Sequence, residues 1–557
     1  MKTSVLIPII ALTLYSCQNA RYDTIIRNGL VYDGNGGAPY RADIGIKADT
    51  IAAIGDLQNE SAAQVVDAKG MAVSPGFINM LSWAPVSLIA DGHSEGDIRQ
   101  GVTLEVFGEG ETMGPLNPGM KRRMQEHQGN IKYEVAWNTL GEYMQYMEKR
   151  GVSPNIATYV GATTIRTHVI GEDDRAPTPE ELKRMQELVH IEMKAGALGV
   201  GSSLIYPPAF FAKTDELIAL CKVAGEYGGG YISHMRSEGN RLIEAVHELI
   251  TIAEQAKVHG EIYHLKAGGM SNWPKMDSVI ALVEAARAKG IDIAANMYLY
   301  TAGATGLTAS MPPSLQDGGF GKLWGRLQDP KIRAQTIKAM RTNTTDWENL
   351  YYGMGGPDKM LLLGFTKDSL HKYAGKTLAE VSRLRNTTPE DCVIDLVIQD
   401  SSRVDAAYFL MSEDNIRKQL ALPWMSFGSD AESASTDSIF SVQKTHPRAY
   451  GNFARLLARY VRDEKVIPLE TAIHKLSKVA ATSLRIKKRG EIKVGNHADL
   501  LVFDPLKVQD HATFENPRQY ATGMSHVFVN GVQVLRDGNH TGATPGRFVK
   551  GPGFGLQ

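Results

Sequence analysis

Short apolar runs at both ends of the chain alternate with polar and turn-forming residues, a pattern that predicts β-strands. Such runs cover 24–32, 42–46 and 50–55 near the start, and 498–504 and 526–534 near the end. Gly, Asp and Asn separate them, as tight turns require. We expect the two ends, residues 17–73 and 486–557, to build one small β-sandwich.

Between these ends, over residues 74–485, strand-like apolar runs alternate with helical patterns. One helix is well marked, because Thr178 is a candidate N-cap and Glu181 completes a capping box. Pro179 suits the first helical position, and Gly196 can end the helix. The alternation predicts an α/β fold, a (β/α)₈ TIM-type barrel. Such a barrel needs about 250 residues, and the surplus predicts an insertion around 305–360.

The first sixteen residues have the pattern of a sorting signal. Lys2 precedes an apolar run at 5–14 that is too short to span a bilayer. The following Leu14-Tyr15-Ser16-Cys17 resembles a bacterial lipobox, although Tyr15 is larger than the usual small residue. We therefore expect residues 1–16 to be a lipoprotein signal peptide and Cys17 to carry a lipid anchor. The protein would then be periplasmic or on the outer surface; plain secretion, with Cys17 a bystander, is the alternative.

The overall composition is that of an ordinary globular α/β protein, with 43% hydrophobic and 22% charged residues. The formal net charge of -1 gives no reason to expect a nucleic-acid partner. After Cys17 only Cys221 and Cys392 remain, both in apolar, helical-looking surroundings. We expect them to pack in the core rather than form a disulfide, and they cannot build a cysteine-based zinc cluster.

Several apolar runs end in a residue of a catalytic type. The runs and the residues that follow them are 102–107 with Glu109, 231–233 with His234, 262–263 with His264, and 424–429 with Asp430. Taken singly, each has an ordinary structural explanation, such as a hydrogen-bonded His, a loop carboxylate or a helix N-cap. Because the carboxyl ends of barrel strands converge on one face, we expect these side chains to meet there. Two His and one carboxylate form a hydrolytic zinc set with one position open to water.

The stretch from Pro75 to Trp83 reads Pro-Gly-Phe-Ile-Asn-Met-Leu-Ser-Trp. It is similar to the amidohydrolase strand Pro-Gly-Phe-Ile-Asp-x-His-x-His, whose two histidines lie at the barrel mouth. Here Asn79, Leu81 and Trp83 occupy the aligned acidic and histidine positions, and neither Leu nor Trp ligates zinc. The stretch therefore indicates either an inactive relative or chemistry on one metal ion held by other residues.

Further sequence blocks occur in a shared order along the chain. They are Gln-Gly-Val-Thr at 100–103, Gly-Ala-Leu-Gly at 196–199, Leu-Ile-Tyr-Pro-Pro at 204–208, His-Met-Arg-Ser-Glu-Gly at 234–239, His-Leu-Lys at 264–266, Tyr-Leu-Tyr at 298–300, Gly-Ser-Asp at 428–430 and His-Pro-Arg at 446–448. Together with Pro-Gly-Phe-Ile, these blocks resemble the N-acyl-D-amino-acid deacylase (D-aminoacylase) family over nearly the whole mature chain. The segment 490–499 resembles a wider amidohydrolase signature.

The resemblance implies a zinc ion bound by a Cys and two His, and it assigns His234 and His264 to the two His positions. The family's Cys lies in a Gly-Asn-Cys-Gly loop that here reads Gly-Glu-Gly-Glu at 108–111. An ungapped alignment puts Gly110 under the Cys, so Glu109 would substitute after a small shift. Glu111 and Glu105 are competitors for that role. The missing histidine pair corresponds to the family's second, weaker site, which implies about one zinc per chain.

The resemblance also implies that Asp430 is the general base, which activates the attacking water and then protonates the leaving amine. Lys266, Tyr298 and Arg448 match residues that bind the substrate α-carboxylate, a role that cationic side chains suit. Without the resemblance, the two cations could equally be structural ion pairs. Ala304 stands where the family has a serine, so side-chain selectivity can differ.

The implied activity is zinc-dependent hydrolysis of the amide of a small-molecule N-acyl amino acid, with a D-isomer as the expected substrate. One alternative is a cyclic-amide hydrolase of the same superfamily, disfavoured because such enzymes use the His-x-His pair and a carbamylated Lys. The other is an inactive surface lipoprotein that binds acylated peptides or cell-wall fragments without turnover.

Overall fold

The structure is a computed structural model, and it describes residues 20–436, 438–441 and 443–556. The predicted signal peptide and the predicted lipid-bearing Cys17 lie outside the described residues. Within those ranges, no helix is both long enough and apolar enough to cross a membrane.

The strands are numbered in chain order. They are β1 Tyr22–Val31, β2 Tyr40–Lys47, β3 Thr50–Gly55, β4 Ala62–Asp67, β5 Ala72–Pro75, β6 Phe77–Asn79, β7 Val102–Phe107, β8 Asn155–Thr158, β9 Val160–Gly161, β10 Gly199–Ser203, β11 Gly230–His234, β12 His259–Ile262, β13 Ile293–Met297, β14 Ala302–Gly306, β15 Met360–Gly364, β16 Asp405–Phe409, β17 Met425–Phe427, β18 Leu500–Phe503, β19 Met524–Val529, β20 Val532–Arg536 and β21 Asn539–His540.

The α-helices follow the same convention. They are α1 Ser87–Ala90, α2 Glu95–Ile98, α3 Pro118–Glu126, α4 Leu140–Arg150, α5 Ala162–Ile170, α6 Pro179–Ala195, α7 Thr214–Glu226, α8 Leu242–Ala256, α9 Lys275–Ala288, α10 Phe320–Leu327, α11 Pro330–Met340, α12 Leu350–Gly353, α13 Leu378–Arg385, α14 Pro389–Asp400, α15 Glu413–Leu420, α16 Ser438–Ser441, α17 Arg448–Arg455, α18 Leu469–His474 and α19 Ala480–Ser483.

Strands from the two ends of the chain share one sheet. Its order is β21-β20-β19-β18-β5-β1-β2-β3, and β4 also pairs with β1. The ends meet where β18 runs antiparallel to β5, with Val502 opposite Val73. Apolar side chains from both ends, including those of Ile26, Ile44 and Phe528, are buried together. The strands predicted at both ends are therefore present, and they are hydrogen-bonded in a single nine-stranded sheet.

Two parallel sheets form the middle of the molecule, with orders β6-β7-β8 and β17-β13-β12-β11-β10-β9. Every residue of β7, β11 and β13 is buried, as expected when helices cover a parallel sheet. The sheets are neighbours at both edges: Leu198 N donates to Thr158 O at 2.8 Å, and Met80 N donates to Phe427 O at 3.0 Å. The predicted alternation of strand and helix is confirmed, and the fold is mixed α/β.

A third, antiparallel sheet of order β14-β16-β15 lies between β13 and β17 in the chain. With α10–α14 it encloses a hydrophobic cluster of its own, which includes Leu307, Met360 and Leu396. Strand β14 follows the end of β13 after the short connection 298–301. The segment 302–409 therefore lies beside the carboxyl end of the parallel strands.

Two local predictions are confirmed. Helix α6 begins after Thr178, whose side chain accepts a hydrogen bond from Glu181 N, and the reciprocal bond of the capping box is present. It ends at Gly196, which adopts φ 113°. Cys221 and Cys392 are both buried and free, so they pack in the interior as expected.

Candidate metal centre and the cavity around it

Glu109 lies in the turn that follows β7, between two glycines with positive φ. Gly108 has φ 109° and Gly110 has φ 90°, which side chains rarely permit. A Cβ on Gly108 would lie 2.5 Å from Tyr159 O, and one on Gly110 would lie 2.7 Å from Ser203 Cβ. The two glycines let the turn pack tightly against its neighbours while the Glu109 side chain turns inward, where it is 5% exposed.

His234 is the last residue of β11, and His264 follows β12 by two residues. Both imidazoles are buried. His264 adopts φ 33°, a strained backbone conformation for a non-glycine residue, and its backbone N donates to Asn296 Oδ1 at 2.9 Å. Backbone strain of this kind is common where a structure fixes a functional side chain.

Three candidate ligand atoms converge at this point. His234 Nδ1 lies 3.0 Å from Glu109 Oε1 and 3.0 Å from His264 Nε2, and His264 Nε2 lies 3.1 Å from Glu109 Oε1. In a tetrahedral zinc site with bonds of about 2.0–2.1 Å, ligand atoms lie about 3.3 Å apart. The triangle therefore has the size and the donor chemistry for a small divalent metal ion.

The carboxylate competitors for this position lie elsewhere. Glu105 is buried on β7 and accepts hydrogen bonds from Ser82 Oγ and Ser94 Oγ, each at 2.6 Å. Glu111 is exposed. Among the described residues, Glu109, His234 and His264 form the one group of three or more His, Cys, Asp or Glu whose ligand atoms lie within 4.8 Å of one another.

The charged groups around the three candidate ligands shift the pKa values of Glu109 and His264. Burial alone would raise the pKa of Glu109, but His264 and His234 outweigh it and hold that pKa well below its usual range. For His264, burial lowers the pKa, whereas the surrounding carboxylates raise it to about 9. In the metal-free protein the imidazole therefore holds a proton next to the carboxylate. A divalent cation would displace that proton, so metal binding and proton release are coupled.

Glu238 is a functional candidate that sequence reasoning did not single out. Its Oε1 accepts from Lys266 Nζ at 2.7 Å and lies 3.0 Å from His264 Nδ1. Its Oε2 lies 3.7 Å from His234 Nε2. Lys266 Nζ lies 2.7 Å from the same His264 Nδ1, so Glu238 and Lys266 both contact that nitrogen. With a metal ion on Nε2, Nδ1 would carry the hydrogen, and Glu238 would then accept from a ligating His, the usual partner of such a residue in metal sites.

The stretch that resembles the missing histidine pair has other contacts. The Asn79 amide donates to Asp97 Oδ2 and to Ser429 Oγ, both at 2.8 Å. Leu81 is fully buried among apolar side chains. Trp83 is partly exposed, and its indole Nε1 donates to Glu109 Oε2 at 2.9 Å. Trp83 therefore contacts the candidate metal centre directly, as well as lining the cavity.

Asp430 and the predicted carboxylate-binding residues lie beside the triangle. Asp430 has φ 49°, and its Oδ2 lies 2.7 Å from Arg448 Nη1. The Arg448 guanidinium lies 4.5 Å above the Tyr298 ring, a cation–π contact. Its buried Nε and Nη1 have no partner of hydrogen-bond geometry among the described residues, although Nη1 is ion-paired with Asp430, so donor capacity remains for a ligand. Lys266 is already paired with Glu238.

One cavity of about 700 Å³ joins these groups. Its lining includes Glu109, His234, His264, Lys266, Tyr298, Asp430 and Arg448. The lining also includes Ala304 and Thr305 of β14 and Arg403 before β16. The volume matches sites that enclose small organic molecules. A substrate held here would lie between the three candidate ligands and the segment 302–409.

The chain is similar to proteins of known activity. Residues 64–535 match the Amidohydrolase family. D-aminoacylase of Alcaligenes xylosoxydans xylosoxydans is 31% identical over 536 residues, which cover 95% of this chain and 97% of that protein.

Two solved structures are similar over almost the full length. One is a D-aminoacylase structure that concerns the role of a binuclear metal centre, with one-metal activation and second-metal attenuation. It has a TM-score of 0.78 and 30% identity, covering 95% of this chain and 100% of that one. The other is N-acyl-D-glutamate deacylase of Bordetella bronchiseptica with zinc and a phosphonate inhibitor that mimics the tetrahedral intermediate. It has a TM-score of 0.77 and 25% identity, covering 95% and 99%.

Proposed function

The chain belongs to the amidohydrolase family, and from that premise we propose that it hydrolyses the amide bond of N-acyl-D-amino acids, releasing a carboxylic acid and a free amino acid. The structural observation that supports this function most directly is that Glu109, His234 and His264 lie together in one cavity with Asp430. Relatives with D-aminoacylase and N-acyl-D-glutamate deacylase activity support the substrate class.

The proposal includes a barrel as the scaffold of the site. Eight parallel strand positions, β6, β7, β8 with β9, β10 to β13 and β17, would close into a (β/α)₈ barrel. The hydrogen bond from Met80 N to Phe427 O supports closure between the first and last strands. The nine-stranded sheet shared by the two chain ends would likewise fold into the small sandwich domain.

The metal in this proposal is one zinc ion, held by Glu109, His234 and His264. When bound, such an ion polarises a carbonyl group and makes water a stronger acid. The zinc complex of N-acyl-D-glutamate deacylase supports the choice of metal. The donor set of two His and one Glu also suits zinc.

The residues around the ligands would carry the proton and orient the substrate. Asp430 would accept a proton from the attacking water and return it to the leaving amine. Arg448, with its free Nε, would bind the α-carboxylate of the amino acid over the face of Tyr298. Lys266, whose charge Glu238 already offsets and whose Nζ lies 5.6 Å from the Tyr298 ring centroid, would contribute to the same recognition.

The proposed location is the periplasm or the outer cell surface, with a lipid anchor on Cys17. The sequence Leu14-Tyr15-Ser16-Cys17 after an apolar run supports it. Metabolic labelling with a fatty acid, compared between the native chain and Cys17→Ala, tests this part. Label on both proteins, or on neither, would contradict it.

The alternatives considered from the sequence are not favoured. A cyclic-amide hydrolase would use the His-x-His pair that Leu81 and Trp83 replace. A binding protein without turnover would not need two His and a carboxylate within 3.1 Å of one another beside a further carboxylate in one cavity.

Turnover is the direct test of the proposed function. We expect the zinc-loaded protein to release amino acid from N-acetyl-D-amino acids much faster than from the matching L-isomers. Asp430→Asn should retain zinc but lose on the order of 10²–10⁴-fold in rate, because it cannot take up the proton. Undiminished turnover by Asp430→Asn would refute the assigned base, and no turnover of any N-acyl amino acid would refute the function.

A further inference from the structure

Trp83 is bonded to the oxygen of Glu109 that faces away from the two histidines. Its indole Nε1 donates to Glu109 Oε2 at 2.9 Å, while Oε1 lies 3.0 Å from His234 and 3.1 Å from His264. We propose that Trp83 is a positioning residue of the metal centre: it engages Oε2, so that Glu109 binds the metal through Oε1 alone. This role rests on the proposed function of the site.

The backbone around Trp83 is fixed to the loop that carries Asp430. Trp83 N donates to Ala431 O at 2.9 Å, and Asp430 N donates to Leu81 O at 2.9 Å. The stretch 81–83 and the stretch 430–431 therefore hold each other by two backbone hydrogen bonds. The indole is presented from this fixed backbone, so its N–H is directed at Glu109 before any metal binds.

A carboxylate ligand needs such a partner more than a thiolate does. Glu has three side-chain torsions and two oxygens, and it can bind a metal through one oxygen, through both, or as a bridge between two ions. A hydrogen bond on Oε2 takes up one of its lone pairs, so it disfavours the last two modes and restrains the carboxylate plane. Ligating carboxylates in metal sites are commonly held by partners of this kind.

The same hydrogen bond disfavours a second metal ion next to Glu109. A bridging ion would have to compete with the indole N–H for Oε2. The nearby Leu81 is apolar and fully buried, and the Asn79 amide is bonded to Asp97 and Ser429. We therefore expect this chain to saturate at one metal ion, in contrast to the binuclear centre named for the related D-aminoacylase.

Metal affinity of indole variants tests the role. Trp83→Phe keeps an aromatic ring but removes the N–H, and the 42% exposure of Trp83 makes this change tolerable to the fold. The control is Trp424→Phe, which removes an indole hydrogen bond to Glu284 Oε1 at 2.6 Å on helix α9; because Trp424 is buried, this change is the harsher of the two for the core. The zinc dissociation constant is measured by competition with a chromophoric chelator, and the ligand geometry from the visible spectrum of the cobalt-loaded protein.

We expect Trp83→Phe to weaken zinc binding 10–100-fold and to change the cobalt spectrum, while Trp424→Phe changes neither. Trp83→Gln, which keeps an N–H donor, should bind more tightly than Trp83→Phe. Equal zinc affinity and identical spectra for wild type and Trp83→Phe would overturn the role, as would tight uptake of a second zinc by the wild type. A wild type that binds zinc but hydrolyses no N-acyl amino acid would refute the proposed function alone, since the affinity comparison would still stand.

Discussion

Removal of the Glu238 charge is the perturbation with the clearest structural consequence. Glu238→Gln keeps the side-chain shape but leaves two buried groups without their anion: Lys266 Nζ, 2.7 Å away, and His264 Nδ1, 3.0 Å away. Burial would raise the pKa of Glu238, but Lys266 and the two histidines hold it well below its usual range. The carboxylate is therefore ionised at neutral pH, and its loss is the loss of a full charge.

Two separate costs follow from this geometry. Lys266 is 5% exposed, and removing one partner of a buried ion pair costs about 3–5 kcal/mol of unfolding free energy. His264 loses the acceptor that fixes its tautomer, and loss of such a partner weakens metal binding about 10–100-fold. That range corresponds to about 1.4–2.7 kcal/mol of binding free energy.

Two assays separate these costs. Urea unfolding of the metal-free protein reports the ion-pair cost, and chelator competition reports the zinc affinity. In Glu238→Gln combined with Lys266→Met, we expect most of the unfolding free energy to return, because no charge is left unpaired. Zinc affinity should stay low in the double variant, since His264 Nδ1 still lacks its carboxylate.

The control is Glu248→Gln. Glu248, on helix α8, forms an ion pair at 2.9 Å with the Nε of Arg236, which lies on the same loop as Glu238, and it makes no contact with a candidate ligand. Glu248→Gln should have a lower unfolding free energy than wild type and an unchanged zinc affinity. A zinc affinity of Glu238→Gln within about threefold of wild type, or an equal weakening in Glu248→Gln, would refute the role of Glu238 in orienting His264.

Three further outcomes are expected. Arg448→Lys should raise KM for N-acyl-D-amino acids with little change in metal content, because an ammonium group cannot bind a carboxylate bidentately; an unchanged KM would contradict this. Gly108→Ala should lower zinc affinity, because a new Cβ at φ 109°, 2.5 Å from a backbone oxygen, would displace the turn that carries Glu109. Unchanged zinc affinity would show that this glycine is not required to position Glu109. Burial lowers the pKa of His259, but Asp292 and other partners raise it from 6.5 to about 9. Its stabilisation is thus full below pH 6.5 and lost as pH rises through 9. The unfolding free energy of wild type should therefore decline between pH 6.5 and 9.5. In His259→Gln this decline should be smaller by about 3 kcal/mol. Equal declines in the two proteins would contradict the pairing of His259 with Asp292.

The position of the candidate ligands followed from a simple regularity of the sequence. Apolar runs that end in Glu109, His234, His264 and Asp430 become buried strands, and a parallel sheet aligns the carboxyl ends of its strands. The choice among the three candidate carboxylates depended on the loop. Glycines on both sides of Glu109 place that residue in a turn after β7, whereas Glu105 lies within β7.

The residues that hydrogen-bond to the candidate ligands could not be predicted from the sequence in the same way. Glu238 lies four residues after His234, in a loop with no repeating pattern that would direct its side chain toward His264. Trp83 occupies a position that is a histidine in the amidohydrolase pattern; the sequence indicates there either an inactive relative or chemistry on one metal ion, and it does not indicate a hydrogen bond to Glu109. Both contacts join residues from different strand ends, and such contacts depend on three-dimensional packing rather than on local sequence.

Zinc titration of the metal-free protein tests most directly whether one bound metal ion makes this site a hydrolase. Hydrolysis of one N-acetyl-D-amino acid is followed as zinc is added in known amounts. We predict no turnover without metal, a linear rise up to one equivalent per chain and a plateau beyond it. Full turnover by the metal-free protein, or none at any zinc concentration, would contradict the account.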